Sequence, residues 1–479
     1  MRLSAILARD MNGADADVTG LTADSRAVKP GFLFAALPGV KLDGRAFIAE
    51  ALKRGAIGVI AEGDAPQDFP AGAARYIRVA NARLALAQAA ARFHGTQPKM
   101  IAAVTGTNGK TSIAAFTRQL WQALGHKAAS IGTIGIVGDG YERPLAHTTP
   151  DPVALHQALA EMEALGIQHV ALEASSHGLD QYRLDGIRIA AAGFSNLTRD
   201  HLDYHATFED YRNAKLRLFR DLLPPGGIAV VNRDGADSAY FIEAALKRGH
   251  HLIDVGESGG AMRLVSRVAH LDGQDLVIGF GGATYKVQLK LAGGFQAGNA
   301  LVAAGLVIGL GGDAARVFAA LAQIQGARGR LERVATARGG APIFVDYAHT
   351  PDALETVLKA LRPHVSGKLH VVFGCGGDRD AGKRPQMGAI AVAHADRVIV
   401  TDDNPRSEKP EMIRAAILAA ARGAIEIGDR AIAIRAAVES LQKGDILVIA
   451  GKGHETGQIV GSETRPFDDA DEARKAVAT

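Results

Sequence analysis

The chain has 479 residues, 47% of them hydrophobic and 22% charged, and a formal net charge of +3. This length exceeds one ordinary core and predicts roughly two to four domains, with three the central expectation. The small net charge gives no reason to expect a nucleic-acid groove, the single cysteine, Cys375, excludes an intramolecular disulfide, and no apolar run is long enough to cross a bilayer. A cytoplasmic, monomeric protein acting on anionic small molecules, without nucleic acid or membrane insertion, is the expectation.

Residues 1–95 alternate short apolar runs, Phe32 to Leu37, Ile57 to Ala61 and Tyr76 to Val79, with polar turns, and end in an alanine-rich helix from Ala82 to Phe93. His94 to Lys99 reads as a linker. Met100 to Val104 has the apolar run of a buried strand, and Ser112 to Leu124 has helical periodicity with Gly125 as its terminator. Between them stands Thr105-Gly106-Thr107-Asn108-Gly109-Lys110-Thr111, so strand, glycine-rich turn and helix follow in the order a phosphate loop requires. Backbone N–H groups and the positive end of the helix dipole converge there on a polyphosphate, Lys110 adds a mobile cation, and the Thr111 hydroxyl can ligate magnesium. Gly106, Thr107, Asn108, Gly109, Lys110, Thr111 and Ser112 are therefore candidate Mg-ATP residues, against a bland reading as a structural glycine turn. Val104 stands where the longer form of the motif carries a further glycine.

From residue 96 to about 328 apolar strands and amphipathic helices alternate, with His169 to Leu172, Ile189 to Phe194 and Ile228 to Val231 as strands of a parallel sheet. Met262 to Leu291 adds an antiparallel patch. Glu173 ends one of the parallel strands, where an acid among apolar residues needs a cation or hydrogen bonds; it can hold magnesium, or the serines after it can form a helix N-cap. His201 follows another strand beside Asp200 and Asp203, and a satisfied structural role competes with a ligand role. Lys215, read by itself, is a solvated helix lysine.

Residues 329–479 repeat the alternation, with apolar runs Ile343 to Val345, His370 to Phe373, Arg397 to Val400 and Ile446 to Ala450. Each is followed at once by a polar, glycine- or acid-rich cluster, on the side of an open sheet where ligands bind. Arg406 is either a loop arginine exposed to water or a two-pronged donor for a substrate carboxylate. Cys375 shows no sign of an activated thiol and reads as packing.

Taken in order, Asp24-Ser25-Arg26, the phosphate loop, Thr148-Thr149-Pro150, Glu173 to Leu179, Asn196 to His205, Ala214 to Phe219, Asp346 to Leu354, Gly374 to Pro385, Asp403 to Arg406 and Gly451 to Glu455 resemble the Mur ligase family. These are ATP-dependent amide-bond-forming enzymes of peptidoglycan precursor synthesis. The resemblance spans nearly the whole chain and implies three α/β domains: a small UDP-binding domain over 1–95, a central P-loop ATPase-type parallel sheet over 96–328 and a Rossmann-like amino-acid-binding domain over 329–479. It implies that Ala23, Ser25, Val40, Lys41, Leu42, Thr148, Thr149, Ser175, Gln181 and Arg183 hold a UDP-muramoyl dipeptide. Asn299 and Arg330 would join the ATP site, Glu173 and His201 would ligate magnesium beside Thr111, and Lys215 would be carbamylated and support a second magnesium, with Lys110, Lys215, His201 and Glu173 as the catalytic group.

The resemblance further implies that Arg384, Asp403, Asn404, Pro405, Arg406, Gly451 and Glu455 hold the incoming amino acid. Asp403-Asn404-Pro405-Arg406 is the form found in members that add meso-diaminopimelate, whose second carboxylate an arginine satisfies; lysine would leave the guanidinium unpaired. A lysine-adding member and a non-ligating nucleotide-binding regulator are the rival readings. His147, Gln296 and Ala327-Arg328 depart from the usual pattern.

Overall fold

The computed structural model describes all residues except 11–14, 40–42, 71–73, 199, 201–203, 236 and 479. It contains two compact units, one comprising Met1–Lys110, Trp121–Val231 and Gly235–Ile253, the other Thr111–Leu120, Asn232–Asp234 and Asp254–Thr479.

The first unit opens with a four-stranded parallel sheet, Gly20–Thr22, Phe32–Ala36, Gly58–Glu62 and Arg75–Val79, in sequence order. Both faces are covered. Leu33, Ile60 and Ile77 pack with Leu86 and Ala90 of the helix Ala82–His94, while Phe34, Val59 and Ala61 pack with Ile48 and Ala51 on the other face. Two-sided burial explains why these strands read as near-continuous apolar runs. Asn81 caps the helix by accepting from the Leu84 N–H.

A second sheet of the same unit runs in the order Ile228–Asn232, Ala191–Phe194, Met100–Thr105, His169–Glu173, Ala128–Gly132, Gly135–Gly138. All neighbours are parallel except the last pair. The phosphate-loop strand is central, with Val104 opposite Glu173 and Thr105 opposite Phe194. Register alone thus brings the segments after Thr105, Glu173 and Phe194 to one end of the sheet. The helix leaving the loop spans Lys110–Ala123, two residues earlier than the periodicity suggests. Lys110 and Thr111 occupy its first turn, where polar residues belong but leave no trace in an apolar repeat.

The second unit holds the antiparallel meander Met262–His270, Gly273–Phe280 and Ala283–Leu289 and a six-stranded sheet. That sheet runs Glu332–Thr336, Pro342–Asp346, Ile446–Ala450, Leu369–Phe373, Arg397–Val400, Ile425–Glu426, parallel except for its first pair. Its two faces bury separate apolar clusters, one with Leu354, Met387 and Ile417 and the other with Ile434, Val438 and Ala473. The ends of Pro342–Asp346 and Ile446–Ala450 lie side by side, Asp346 opposite Ala450. Among the described residues no helix is long and apolar enough to cross a membrane.

Candidate active site

Gly106 begins the phosphate loop at φ +141°, and a Cβ there would stand 2.0 Å from Ser195 Oγ. Only glycine lets the loop pass this close to the neighbouring strand end. The loop is then tied to that strand: the Thr107 N–H donates to the Asn196 carbonyl (2.8 Å), the Asn108 N–H to Asn196 Oδ1 (3.1 Å), and Ser195 Oγ to the Asn108 carbonyl (2.5 Å). Thr107 Oγ1 lies 2.9 Å from the Tyr211 hydroxyl and takes the Thr198 N–H at 3.0 Å. Lys110 Nζ folds back onto the carbonyls of Gly106 (2.9 Å) and Thr107 (2.7 Å). Thr111 and Ser112 are buried.

Lys215 is not a solvated lysine. Its side chain is 1% exposed, Nζ donates to the Gly106 carbonyl at 2.7 Å, and it lies 4.4 Å from the centroid of the Tyr211 ring. Burial pushes its pKa well below the ordinary lysine range, the Lys110 ammonium pushes the same way, and Asp200 opposes both. A pKa lowered this way favours the neutral amine, the form that can act as a nucleophile.

Glu173 is 2% exposed, its Oε1 accepting from the Thr133 N–H (2.7 Å) and its Oε2 from the Thr133 hydroxyl (3.2 Å). A Cβ on Gly132 would strike Oε1 at 2.0 Å, so that glycine makes the carboxylate's room. The N-cap reading of the serines also holds, because Ser175 Oγ accepts from the Gly178 N–H at 3.1 Å. Cap and carboxylate therefore coexist in one segment. Thr148 Oγ1 lies 3.0 Å from Thr133 Oγ1, Thr149 Oγ1 lies 3.0 Å from Ser175 Oγ, and Arg183 donates to the Thr149 carbonyl and to Gln181 Oε1, both at 2.7 Å. These hydroxyls and amides form one connected polar surface with Glu173 at its edge. His201 lies outside the described residues, and among the described residues no group of three or more His, Cys, Asp and Glu could hold a metal by itself.

A cleft of about 860 Å³ in the first unit is lined by Ala23, Ser25, Gln181 and Arg183, as expected, and also by Arg83 and Phe47. Ser25 Oγ donates to Glu50 Oε2 at 3.1 Å. The volume suits a ligand at the large end of small-molecule sites. Val40, Lys41 and Leu42 fall outside the described residues. Arg83 had no motif to mark it.

In the second unit, Asn299 Nδ2 donates to Gln296 Oε1 (3.0 Å) and Gln296 Nε2 to the Arg330 carbonyl (3.2 Å), so the unusual Gln296 joins the two expected nucleotide residues. The Arg330 guanidinium lies 4.6 Å from the centroid of the Tyr347 ring. The amino-acid cluster is also assembled. Arg384 is buried and donates to Glu408 at 2.8 Å, and Arg406 Nη1 donates to the Gly377 carbonyl at 2.8 Å. Arg406 is half-buried at φ +52°, which corrects the reading of a water-exposed loop arginine. Asn404 Nδ2 donates to Glu455 Oε2 at 3.0 Å, Pro405 is buried, and Gly451, at φ +113°, leaves room for Asp403 Oδ2 where a Cβ would lie 2.6 Å away.

Lys452 is marked in the sequence only by its place in the segment Gly451 to Glu455. It is fully buried and donates to Asn404 Oδ1 (3.1 Å) and Glu455 Oε2 (3.2 Å), with Asp403 Oδ1 at 3.9 Å. Cys375 packs against Met387, and burial pushes its thiol up to about 11, in keeping with a packing role.

The profile of the Mur ligase family catalytic domain matches residues 17–94, that of the Mur ligase middle domain residues 104–307, and that of the Mur ligase glutamate ligase domain residues 329–453. Over 98% of its length the chain is 57% identical to a Bradyrhizobium diazoefficiens protein, 99% of which is covered, named UDP-N-acetylmuramoyl-L-alanyl-D-glutamate–2,6-diaminopimelate ligase. The chain belongs to the Mur ligase family. This Mur ligase is also 55% identical, over 97% of its length and 96% of the relative's, to the Mesorhizobium japonicum protein of the same name. A solved structure of a ligase so named superposes with a TM-score of 0.76 at 35% identity, covering 100% of this chain and 99% of that one. The Thermotoga maritima MurF ligase in complex with ADP shares the fold, with a TM-score of 0.60 at 18% identity over 95% and 96% of the two chains. The phosphate loop, Lys215 and Glu173 of this Mur ligase lie in the middle-domain match, and Arg384, Asp403 to Arg406 and Gly451 in the glutamate-ligase match.

Proposed function

We propose that this Mur ligase joins meso-diaminopimelate to the D-glutamyl γ-carboxylate of UDP-N-acetylmuramoyl-L-alanyl-D-glutamate, converting ATP to ADP and phosphate. The observation that carries the reading is the half-buried Arg406, its guanidinium on the Gly377 carbonyl, with Asn404 bonded to Glu455 on the neighbouring loop and Arg384 buried against Glu408, in a chain whose relatives carry that ligase's name. An amino acid with a distal amino-carboxylate end matches both charges. Lysine has no distal carboxylate and would leave Arg406 unsatisfied.

A carboxylate does not condense with an amine unless one of its oxygens first becomes part of a leaving group. The γ-carboxylate oxygen attacks the γ-phosphorus of ATP, the bond to the β,γ-bridging oxygen breaks, and ADP departs, leaving an acyl phosphate. The neutral amine of diaminopimelate attacks the acyl carbon, loses a proton, and the tetrahedral intermediate expels inorganic phosphate. The phosphate loop and Lys110 hold the charge that builds on the transferring group. Lys110 rests on loop carbonyls, so reaching the phosphates means exchanging two carbonyl partners for phosphate oxygens.

Glu173 and the Thr111 hydroxyl are oxygen donors of the kind magnesium takes, and Glu173 is a buried carboxylate held in place by two bonds from Thr133. When bound, magnesium supplies charge neutralisation on the phosphates. His201 remains part of this proposal by resemblance. Lys215 is proposed as the site of carbamylation: its neutral amine adds to carbon dioxide, loses a proton and becomes an anion. The polar surface from Thr148 to Arg183 and the cleft at Ser25 are assigned to the UDP-muramoyl dipeptide. The division into bodies 1–95, 96–328 and 329–479 belongs to the same reading and is supported by the three profile matches. A nucleotide-linked substrate and ATP point to the cytoplasm.

The test is phosphate release from Mg-ATP and the UDP-muramoyl dipeptide with meso-diaminopimelate or L-lysine. Release that depends on diaminopimelate is expected. Equal use of lysine overturns the specificity, and release independent of any amino acid overturns the ligase.

A further inference from the structure

The deepest ionic contact among the described residues of the second unit involves no residue assigned above. Arg430 and Asp469 both have side chains at 0% exposure and meet fork to fork, Nε to Oδ1 and Nη2 to Oδ2, each at 2.7 Å. Arg430 opens the helix Arg430–Glu439 and Asp469 the helix Asp469–Ala478.

A buried ion pair is a weak stabiliser, since replacing both partners by apolar groups of similar volume is often neutral or better. The remaining guanidinium hydrogens supply a reason for this pair. Nη2 also donates to the Ala450 carbonyl at 3.0 Å, and Nη1 to the Asp402 carbonyl at 3.3 Å. Ala450 immediately precedes Gly451, and Asp402 immediately precedes Asp403. One planar group therefore fixes the points from which two amino-acid loops leave the sheet, 451–455 and 403–406. A lysine there could not reach the two carbonyls and the carboxylate in one plane. Without Asp469 the guanidinium would lose the partner that sets its orientation.

We infer that Arg430, oriented by Asp469, is a positioning residue for the incoming amino acid, setting the spacing between Arg406 on one loop and Gly451 and Glu455 on the other. The inference rests on the proposed ligase reading. It adds the helix Asp469–Ala478, which touches none of the assigned site residues through Asp469, to the determinants of diaminopimelate selection.

The test uses full-length Asp469→Asn and Arg430→Lys in the phosphate-release assay, titrating each substrate in turn. The KM for meso-diaminopimelate is expected to rise at least about tenfold, and the preference for it over L-lysine to fall by a similar factor, as for other residues that orient a binding group. The KM values for ATP and the UDP-muramoyl dipeptide are expected to hold within about twofold. Asp468→Ala is the structural control. Asp468 accepts from the Ala470 and Asp471 N–H groups and pairs with Arg328, so its loss weakens the start of the same helix without touching Arg430. Its diaminopimelate KM should match wild type. If Asp469→Asn does not fold, Asp469→Glu, which keeps the charge and shifts the fork, carries the same expectation. An unchanged diaminopimelate KM, three KM values rising together, or the same shift in Asp468→Ala overturns the inference. Wild type inactive with meso-diaminopimelate overturns the ligase reading instead.

Discussion

Lys215 Nζ donates to the Gly106 carbonyl oxygen at 2.7 Å, the same oxygen that receives Lys110 Nζ at 2.9 Å. Two ammonium groups on one buried carbonyl repel each other, which favours the neutral form of one of them. Lys215, almost wholly enclosed, is the one whose pKa is lowered, by burial and by the Lys110 ammonium. A neutral amine is the form that adds to carbon dioxide, so wild type is expected to show a carbamate carbonyl resonance in ¹³C-bicarbonate and to lose phosphate release in bicarbonate-free buffer. Lys215→Arg, which cannot lose its proton, should lack the resonance and fall on the order of a hundredfold in rate. Full activity of that variant would remove Lys215 from the reaction.

Gly106→Ala tests the loop itself. Its Cβ would lie 2.0 Å from Ser195 Oγ and 3.0 Å from the Asn196 carbonyl at a φ that side chains rarely adopt, so the loop must move. A displacement near 1 Å at a phosphate site costs roughly a hundredfold in rate. The expected outcome is that loss in kcat, with weaker ADP binding by calorimetry. Unchanged ADP affinity would mean that the loop does not hold the nucleotide.

Much of this architecture is readable from the chain because parallel strands buried on both faces are short continuous apolar runs, and His370, Arg397 and Ile446 each mark a strand within one residue of its start. The strands Ala128–Gly132 and Gly135–Gly138 leave no such mark, because their few large apolar residues, Ile131, Ile136 and Val137, are interrupted by alanine, serine and glycine. Ile425–Glu426 is a two-residue exposed edge. At the site, spacing alone made Lys215 a surface residue. A signal was present: Tyr211, Ala214 and Lys215 recur at helical spacing on the buried stripe, so the lysine sits where an apolar residue belongs. Lys452 stands between two glycines in a loop, where no periodicity reports burial, and Arg430 lies at a helix start that looks like any other.

Arg406 separates the diaminopimelate reading from its lysine rival. Its side chain is held by the Gly377 carbonyl, and its backbone by Ile459 and Gly461, so the guanidinium is aimed before any ligand arrives. Arg406→Ala is expected to lower kcat/KM for meso-diaminopimelate by roughly 10²–10³ while leaving the weak use of L-lysine nearly unchanged. Arg406→Lys should recover only part of the loss, because an ammonium cannot grip a carboxylate with two parallel bonds. Equal losses for both amino acids would show that Arg406 supports the loop and does not read the second carboxylate.

His156 sets an acid limit on the fold. It is 1% exposed in the helix Pro152–Ala164, its Nε2 lies 3.1 Å from the Asp185 carbonyl, and its Nδ1 has no hydrogen-bond partner among the described residues. Burial lowers its pKa from 6.5 to about 4, with the Asp185 carbonyl opposing. The folded pKa is depressed, so below pH 6.5 the unfolded chain binds a proton that the folded chain refuses. The stability is present above pH 6.5 and drains away as pH falls towards 4, by on the order of 3 kcal/mol. Urea unfolding at pH 7 and at pH 4.5 should therefore show a smaller acid loss in His156→Gln than in wild type, even though the variant starts less stable at pH 7. The same acid loss in both proteins would assign the pH sensitivity to other groups, of which His169, also lowered to about 4 by burial, is the first to examine.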